Sequence, residues 1–143
     1  MCMHCEEPAC ASVCPVGALQ KTKEGPVTYD AGKCMGCRYC MVACPFSVPR
    51  YEWSSVVPRV RKCEMCHDRI ERGGHPNSTR LSPTDAIVLR DRDELLGSAK
   101  ARFPADHDGS HRQVHGEKEA GGTSVFVIAA VPAAELGLPA NVP

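Results

Sequence analysis

The sequence predicts an α+β fold that is held together by bound metal more than by a large apolar core. Aromatic residues make up only 5% of the 143 residues, so the side chains that bury most area are scarce. The chain has 12 glycines and 12 prolines, and long regular elements should therefore be few. It also has 10 cysteines, and small scaffolds with modest cores commonly rely on disulfides or metal sites.

The spacing of the cysteines favours metal over disulfides. Neighbouring cysteines within each group are separated by two to four residues, and none occurs after residue 66. A disulfide framework would usually staple the whole chain, so disulfides are the weaker alternative. The ten residues are Cys2, Cys5, Cys10, Cys14, Cys34, Cys37, Cys40, Cys44, Cys63 and Cys66.

The first region contains a repeat, and a β-hairpin is predicted between its two copies. The copies are Cys2-x2-Cys5-x4-Cys10-x3-Cys14-Pro15 and Cys34-x2-Cys37-x2-Cys40-x3-Cys44-Pro45. Between them, residues 18–21 and 26–29 flank a turn at Gly25, which predicts a short hairpin. Residues 9–13 and 39–43 are too short for free-standing helices, and we expect one turn in each, held by the flanking cysteines.

Further elements are predicted along the rest of the chain. Residues 91–103 predict a helix, because acids lie at its start and bases at its end, as the helix dipole prefers, and Pro104 ends it. Residues 124–128 form a short apolar run that predicts a buried strand. The polar residues 105–116 predict a surface loop, and the tail from 136 to 143 should be irregular.

The second cysteine copy has the spacing of bacterial ferredoxins. In that arrangement three thiolates bind one [4Fe-4S] cluster, while the fourth ligates the other cluster. The sequence therefore predicts a ferredoxin-like di-cluster core with a small helix-and-strand C-terminal extension. One cluster takes Cys14, Cys34, Cys37 and Cys40, and the other takes Cys2, Cys5, Cys10 and Cys44. A pair of four-cysteine zinc knots is the alternative, although zinc does not need the crossed arrangement.

Cys63 and Cys66 form only half a site. They are interpreted as a free or vestigial pair, with a zinc site completed by His67 or His75 as the alternative. The six histidines have no paired acid or nucleophile and should be surface residues. Four basic residues beside the cysteine groups either raise a cluster potential and help to dock a partner, or are ordinary solvated surface. They are Lys33, Arg38, Arg61 and Lys62.

Composition argues against several classes of function. Lys+Arg and Asp+Glu number 17 each, so the charge gives no argument for nucleic acid or an anionic membrane surface. No signal peptide is evident, and the most apolar run, 125–131, is far shorter than the ~20 residues of a membrane span. No catalytic constellation, phosphate loop or dinucleotide fingerprint is present. We therefore expect no nucleic-acid partner, no direct membrane span and no bond chemistry.

Five segments carry a resemblance to a known family. They are residues 2–10, 14–19, 33–40, 43–46 and 62–66. They resemble the iron–sulfur (beta) subunits of membrane-bound respiratory oxidoreductases, which include formate dehydrogenases, other molybdopterin enzymes and hydrogenases of the hydrogenase-2 type. Towards the end of the chain, residues 116–123, 131–132 and 136–139 look most like the hydrogenase-2 and formate dehydrogenase members.

The chain departs from that family at two places. The family has four cysteine motifs and four clusters, and its first motif would lie before Met1. In its fourth motif, Ser78 and Ser82 here stand at the last two cysteine positions. We therefore expect two clusters, a ferredoxin-type iron–sulfur domain at residues 1–66, and a degenerate fourth motif plus the extension at residues 67–143. A fragment of a longer subunit is a further possibility.

The resemblance implies an electron-transfer subunit that is not itself catalytic. It would relay electrons between a catalytic subunit, either a hydrogenase or a molybdopterin dehydrogenase, and a quinone-linked membrane subunit. The implied location is the periplasmic face of the inner membrane, with the cytoplasm as the alternative. A stand-alone soluble di-cluster ferredoxin and a zinc-binding structural module are the alternative functions. The chain beyond residue 66 argues against the ferredoxin, which needs no such extension.

Overall fold

The computed structural model describes residues 1–103, 113–139 and 142, and these form short helices and two hairpins. The helices are α1 (Ala9–Ser12), α2 (Tyr39–Ala43), α3 (His67–Glu71), α4 (Asn77–Arg80) and α5 (Arg92–Ala101). The strands are β1 (Leu19–Lys21), β2 (Val27–Tyr29), β3 (Arg50–Tyr51) and β4 (Val60–Arg61), and a 3₁₀ turn covers Glu119–Gly121. This mixture of small helices and strands agrees with the predicted α+β class.

The first hairpin forms as predicted. β1 and β2 are antiparallel, with Leu19 opposite Tyr29 and Lys21 opposite Val27. The turn between them depends on Gly25, whose φ of 102° lies in the region that glycine enters without a steric penalty. Leu19 and Val27 are buried, so the hairpin presents one apolar face to the rest of the fold.

A small core lies between this hairpin and the two helical turns α1 and α2. Its buried centre consists of Leu19, Val27, Cys40 and Val60. Partly buried residues packed around that centre are Cys10, Ala11, Cys14, Tyr29, Cys34, Met41 and Tyr51. Four of these eleven residues are cysteines, so sulfur occupies positions where a larger domain would place aliphatic or aromatic side chains.

The C-terminal extension packs against the first cysteine loop. Cys5 forms an antiparallel bridge with Thr123, which has no exposed surface. The Ser124 amide donates to the His4 carbonyl at 3.0 Å, and the Glu6 amide donates to the Gly122 carbonyl at 2.9 Å. The extension therefore supports the loop between Cys2 and Cys10, although more than 100 residues separate them in sequence.

Two predictions for the extension are wrong. Residues 124–128 are half-buried and form no continuous strand, because the pairing partners change along the segment: Thr123 pairs with Cys5, whereas Val127 pairs with His115. Within the predicted surface loop 105–116, residues 114–116 are buried, and 105–112 lie outside the described residues. Burial follows here from the return of the chain onto the first cysteine loop.

The predictions of a helix within residues 91–103 and of an irregular tail are confirmed for the described residues. α5 lies within the predicted helical range and buries Ala99. The described residues between 136 and 142 contain neither helix nor strand. None of the helices that the structure describes has the length and apolarity to cross a membrane.

Candidate metal centre

Four cysteines from two different motifs line one small pocket beside the first hairpin. This group, called the Cys14 group below, consists of Cys14, Cys34, Cys37 and Cys40. Leu19 and Val60, which also line the pocket, are 3% and 2% exposed and give it one apolar, buried wall. Cys14 follows α1 in the first motif, whereas the other three surround the start of α2 in the second.

The other four cysteines of the repeat are also close together. This group, called the Cys2 group, consists of Cys2, Cys5, Cys10 and Cys44. Burial raises the pKa of the Cys2 and Cys5 thiols, and it raises the pKa of the Cys10 thiol to about 11. The next cause at Cys10 is the charge of Cys44, which repels a Cys10 thiolate. Such coupling needs proximity, so the fourth cysteine of the second motif lies near the first motif.

The raised thiol pKa values bear on whether iron fits the Cys2 group. A buried thiol stays protonated at neutral pH unless a cation compensates the charge of its thiolate. A bound metal supplies that compensation and displaces the thiol protons. Two groups of four thiols, each drawn from both motifs, are the donor set that two [4Fe-4S] clusters require. The residues present therefore fit the cofactor that the spacing predicts.

Hydrogen-bond donors approach the sulfurs of the Cys14 group. The Ala18 amide donates to Cys14 Sγ at 3.2 Å. Burial acts to raise the pKa of the Cys14 thiol, but backbone N–H groups, those of Leu19 and Ala18 foremost, outweigh it, and the pKa is lowered. Burial also raises the pKa of Tyr29 to about 12, with the hydrogen bond to Cys34 as the next cause. The backbone N–H groups stabilise negative charge on the Cys14 sulfur.

Two histidines are buried, which corrects the prediction that all six lie at the surface. His4 is 1% exposed and His115 is 5% exposed. His4 Nδ1 accepts the Val27 amide proton at 2.8 Å, so the neutral ring carries its own proton on Nε2. Burial, followed by the charges of Lys62 and Lys21, lowers the His4 pKa to about 3. Within the described part of the chain, Nε2 of His4 is buried without a hydrogen-bond partner.

Sequence reasoning missed His4 although a signal was present. His4 lies between Cys2 and Cys5, and a short loop anchored at both ends can hold such a side chain against the protein. For His115 no local signal exists, because its burial depends on Val127 and on edge contact with the Phe46 ring, 6.3 Å away between centroids. His107 and His111 lie outside the described residues.

Cys63 and Cys66 lie on a tight loop before α3. Cys63 is exposed and Cys66 is half-buried, and the Met65 amide donates to Cys63 Sγ at 3.3 Å. Ser78 is exposed on α4, whereas Ser82 Oγ accepts the backbone amides of residues 86 and 87 at 3.1 and 3.3 Å. Among the residues that the structure covers, no three Cys, His or carboxylate groups converge on a single-ion site. The alternative zinc site with His67 or His75 is therefore not formed there.

The four basic residues beside the cysteines differ in their surroundings. Lys33 pairs with Asp30 at 3.6 Å, and Arg61 pairs with Glu52 at 2.5 Å. The Arg38 guanidinium lies 5.0 Å from the centroid of the Trp53 ring. Lys62 is half-buried, and its ammonium donates to backbone carbonyls of residues 27 and 63. Three of the four are thus surface cations with surface partners, and Lys62 is not.

Comparison with known proteins identifies the family to which the chain belongs. The profile of the family described as 4Fe-4S dicluster domain matches residues 1–92. The hydrogenase-2 operon protein HybA of Escherichia coli O157:H7 is 40% identical over 164 residues, covering 96% of this chain and 50% of the relative. A subunit of the anaerobic dimethyl sulfoxide reductase of Escherichia coli K12 is 42% identical over 94 residues, covering 66% of this chain and 45% of the relative.

A third relative is the iron–sulfur subunit of the nitrate-inducible formate dehydrogenase of Escherichia coli K12. It is 35% identical over 130 residues, which cover 89% of this chain and 44% of the relative. The chain therefore spans half, or slightly less, of the length of these three curated relatives. The shared part includes both copies of the cysteine repeat.

Proposed function

Because the chain belongs to the 4Fe-4S dicluster domain family, we propose that it is a non-catalytic electron-transfer subunit of an oxidoreductase complex. Two [4Fe-4S] clusters are its redox groups. One is held by the Cys2 group and the other by the Cys14 group. The observation that carries this assignment is the crossed grouping, in which Cys14 lines the pocket of Cys34, Cys37 and Cys40 rather than completing its own motif.

The arrangement favours iron–sulfur clusters over zinc. A four-cysteine zinc site does not require the fourth cysteine of one motif to join the other motif, as Cys14 does here. A cubane presents four separate irons, so its cysteines surround a larger volume. The two four-cysteine groups, each drawn from both motifs, are therefore better suited to [4Fe-4S] clusters than to zinc ions.

The protein supplies ligands, shielding and hydrogen bonds rather than bond chemistry. When bound, a [4Fe-4S] cluster accepts and releases one electron at a time. Leu19 and Val60 form an apolar wall on one side of the Cys14 group, which limits the solvent stabilisation of added charge on that side. The Ala18 amide donates to Cys14 Sγ at 3.2 Å, and such a donor makes a more negative cluster easier to form.

Metal counting tests this assignment. Anaerobic reconstitution should give about eight iron and eight sulfide per chain, because each of two cubanes contains four of each. Cys10→Ser should alter the content or the electron-spin-resonance signal of one cluster. The matched control Cys66→Ser removes a half-buried thiol outside both groups and should leave iron and both signals unchanged. Zinc in place of iron would refute the function, and a fall in iron in the control would refute the ligand sets.

We further propose a catalytic partner and a quinone-linked membrane partner. The support is the set of relatives, whose names place them with hydrogenase-2, dimethyl sulfoxide reductase and formate dehydrogenase. Affinity purification of the tagged chain from its own cells should recover a large hydrogenase or molybdopterin subunit. Recovery without any large subunit would favour a stand-alone ferredoxin.

The location that we propose is the periplasmic face of the inner membrane, with the cytoplasm as the alternative. Its support is the same family relationship. Cell fractionation with immunodetection distinguishes the two: we expect the protein in the membrane fraction and accessible from the periplasm. Detection only in the cytosolic fraction would contradict the proposal.

A further inference from the structure

Lys62 is anchored at one residue of β2 that also holds the first cysteine loop. Its ammonium donates to the Val27 carbonyl and, at 2.9 Å, to the Cys63 carbonyl. The amide of the same Val27 donates to His4 Nδ1 at 2.8 Å. Val27 and His4 are each 1% exposed. One buried residue therefore brings the charge of Lys62 next to the loop between Cys2 and Cys5.

The charge of Lys62 is not neutralised by a carboxylate within the part of the chain that the structure describes. Its only hydrogen-bond partners there are the two backbone carbonyls. Lys33 offers a direct comparison, because each lysine immediately precedes the first cysteine of a Cys-x2-Cys sequence: Lys33 precedes Cys34, and Lys62 precedes Cys63. The Lys33 side chain is 53% exposed and pairs with Asp30. Solvent and a counter-charge screen Lys33, whereas Lys62 acts through a less polar medium.

The contacts of Lys62 place its charge on the side of the Cys2 group. His4, whose ring accepts the Val27 amide proton, lies in sequence between Cys2 and Cys5, two members of that group. Lys62 contacts the carbonyl of the same Val27, and none of its hydrogen bonds within the described residues reaches a cysteine of the Cys14 group.

Resting on the proposed function, we propose that Lys62 raises the reduction potential of the cluster held by the Cys2 group relative to that of the Cys14 group. One-electron reduction adds one negative charge to a cluster and makes or breaks no bond to Lys62. A fixed positive charge nearby stabilises the reduced state more than the oxidised state. Lys62 thus acts through space on the reduction potential of a cluster that it does not ligate.

An anaerobic redox titration with dithionite as the reductant tests the proposal. The variants are Lys62→Met, Lys62→Arg and the control Lys33→Met, each assayed for iron and followed by electron spin resonance. Lys62→Met should shift one midpoint potential to a more negative value and leave the other in place. Lys62→Arg should keep both midpoint potentials close to those of the unaltered chain, because it keeps the positive charge. Lys33→Met should move either midpoint much less.

The signal that shifts must be the one that Cys10→Ser perturbs, because Cys10 belongs to the Cys2 group. The proposal is overturned if Lys62→Met keeps both clusters and neither midpoint moves, or if both move equally. It is also overturned if Lys62→Met loses iron, since the lysine would then be an anchor for the fold. Absence of iron–sulfur clusters from the unaltered chain would instead refute the proposed function.

Discussion

His4 shows how a single side chain connects the hairpin to a cysteine loop. Its Nδ1 is the acceptor for the buried Val27 amide, and its backbone has a φ of 49°, in the left-handed region where asparagine, aspartate and histidine are the most frequent non-glycine residues. The low His4 pKa keeps the ring neutral, so that Nδ1 remains an acceptor at physiological pH.

We predict that His4→Leu destabilises the cluster-loaded protein by about 1–3 kcal/mol, because it leaves the Val27 amide buried without an acceptor. His4→Asn should recover part of this loss, since its side-chain carbonyl can accept the same proton and asparagine tolerates the positive φ. The measurement is urea unfolding under anaerobic conditions, followed by cluster absorbance. His75→Leu, at an exposed position, is the control. Equal stability of His4→Leu and the control would contradict the role of this hydrogen bond.

At the scale of elements, the turn between residues 114 and 124 supports the first cysteine loop. The Thr123 amide donates to the Gly116 carbonyl at 2.9 Å, and the Gly116 amide donates to Glu119 Oε2 at 2.8 Å. This closed turn places Thr123 against Cys5. Gly116 has a φ of 103°, and a Cβ there would overlap the Val125 carbonyl oxygen and lie 2.5 Å from Thr123 Oγ1.

We predict that Gly116→Ala opens this turn and accelerates loss of the cluster held by the Cys2 group. Gly121→Ala is the matched control, because Gly121 also has a positive φ, of 76°, but a Cβ there would contact nothing within 4 Å. Both variants place an alanine at positive φ, which costs ~1–2 kcal/mol in the left-handed helical region. The larger effect that we expect at Gly116 comes from the steric overlap and from its φ of 103°, which lies further outside that region. Chelator-driven bleaching, resolved by electron spin resonance, measures the loss. Equal bleaching rates in the two variants would contradict the prediction.

At the scale of the whole molecule, cohesion depends on the cysteines. The buried centre of the core has only four members, and one of them is Cys40. The α-helices described here are short, and the longest, α5, has 10 residues, below the length at which isolated helices persist in water. Metal binding should therefore contribute much of the free energy of folding.

Removal of iron by an anaerobic chelator should accordingly unfold residues 1–45 and release the extension from them. Hydrogen exchange is the measurement: the amides of Val27, Ser124 and Glu6, which hydrogen-bond across this part of the fold, should lose protection together. Restoring iron and sulfide should return it. A cooperative, protected core in the iron-free chain would show that the apolar contacts suffice without metal.

The sequence alone was sufficient for the features that depend on local spacing. Cysteines two to four residues apart have little freedom to lie elsewhere, so the motif pattern predicts that the first three cysteines of each motif lie together. The exchange of Cys14 and Cys44 between the motifs is predicted by the ferredoxin arrangement. The hairpin at Gly25 and the single turns α1 and α2 follow from the same short range, in which turn chemistry and chain length leave few alternatives.

The tertiary structure alone decided the features that depend on distant contacts. Lys21 donates to Ser124 across 103 residues, and no local pattern signals that 114–124 returns to the first cysteine loop. The burial of His115 and the failure of residues 124–128 to form a strand both follow from that return. Lys62 and Lys33 each precede a cysteine, and the local sequence does not distinguish them. They differ only in burial and charge pairing, which are properties of the folded surroundings.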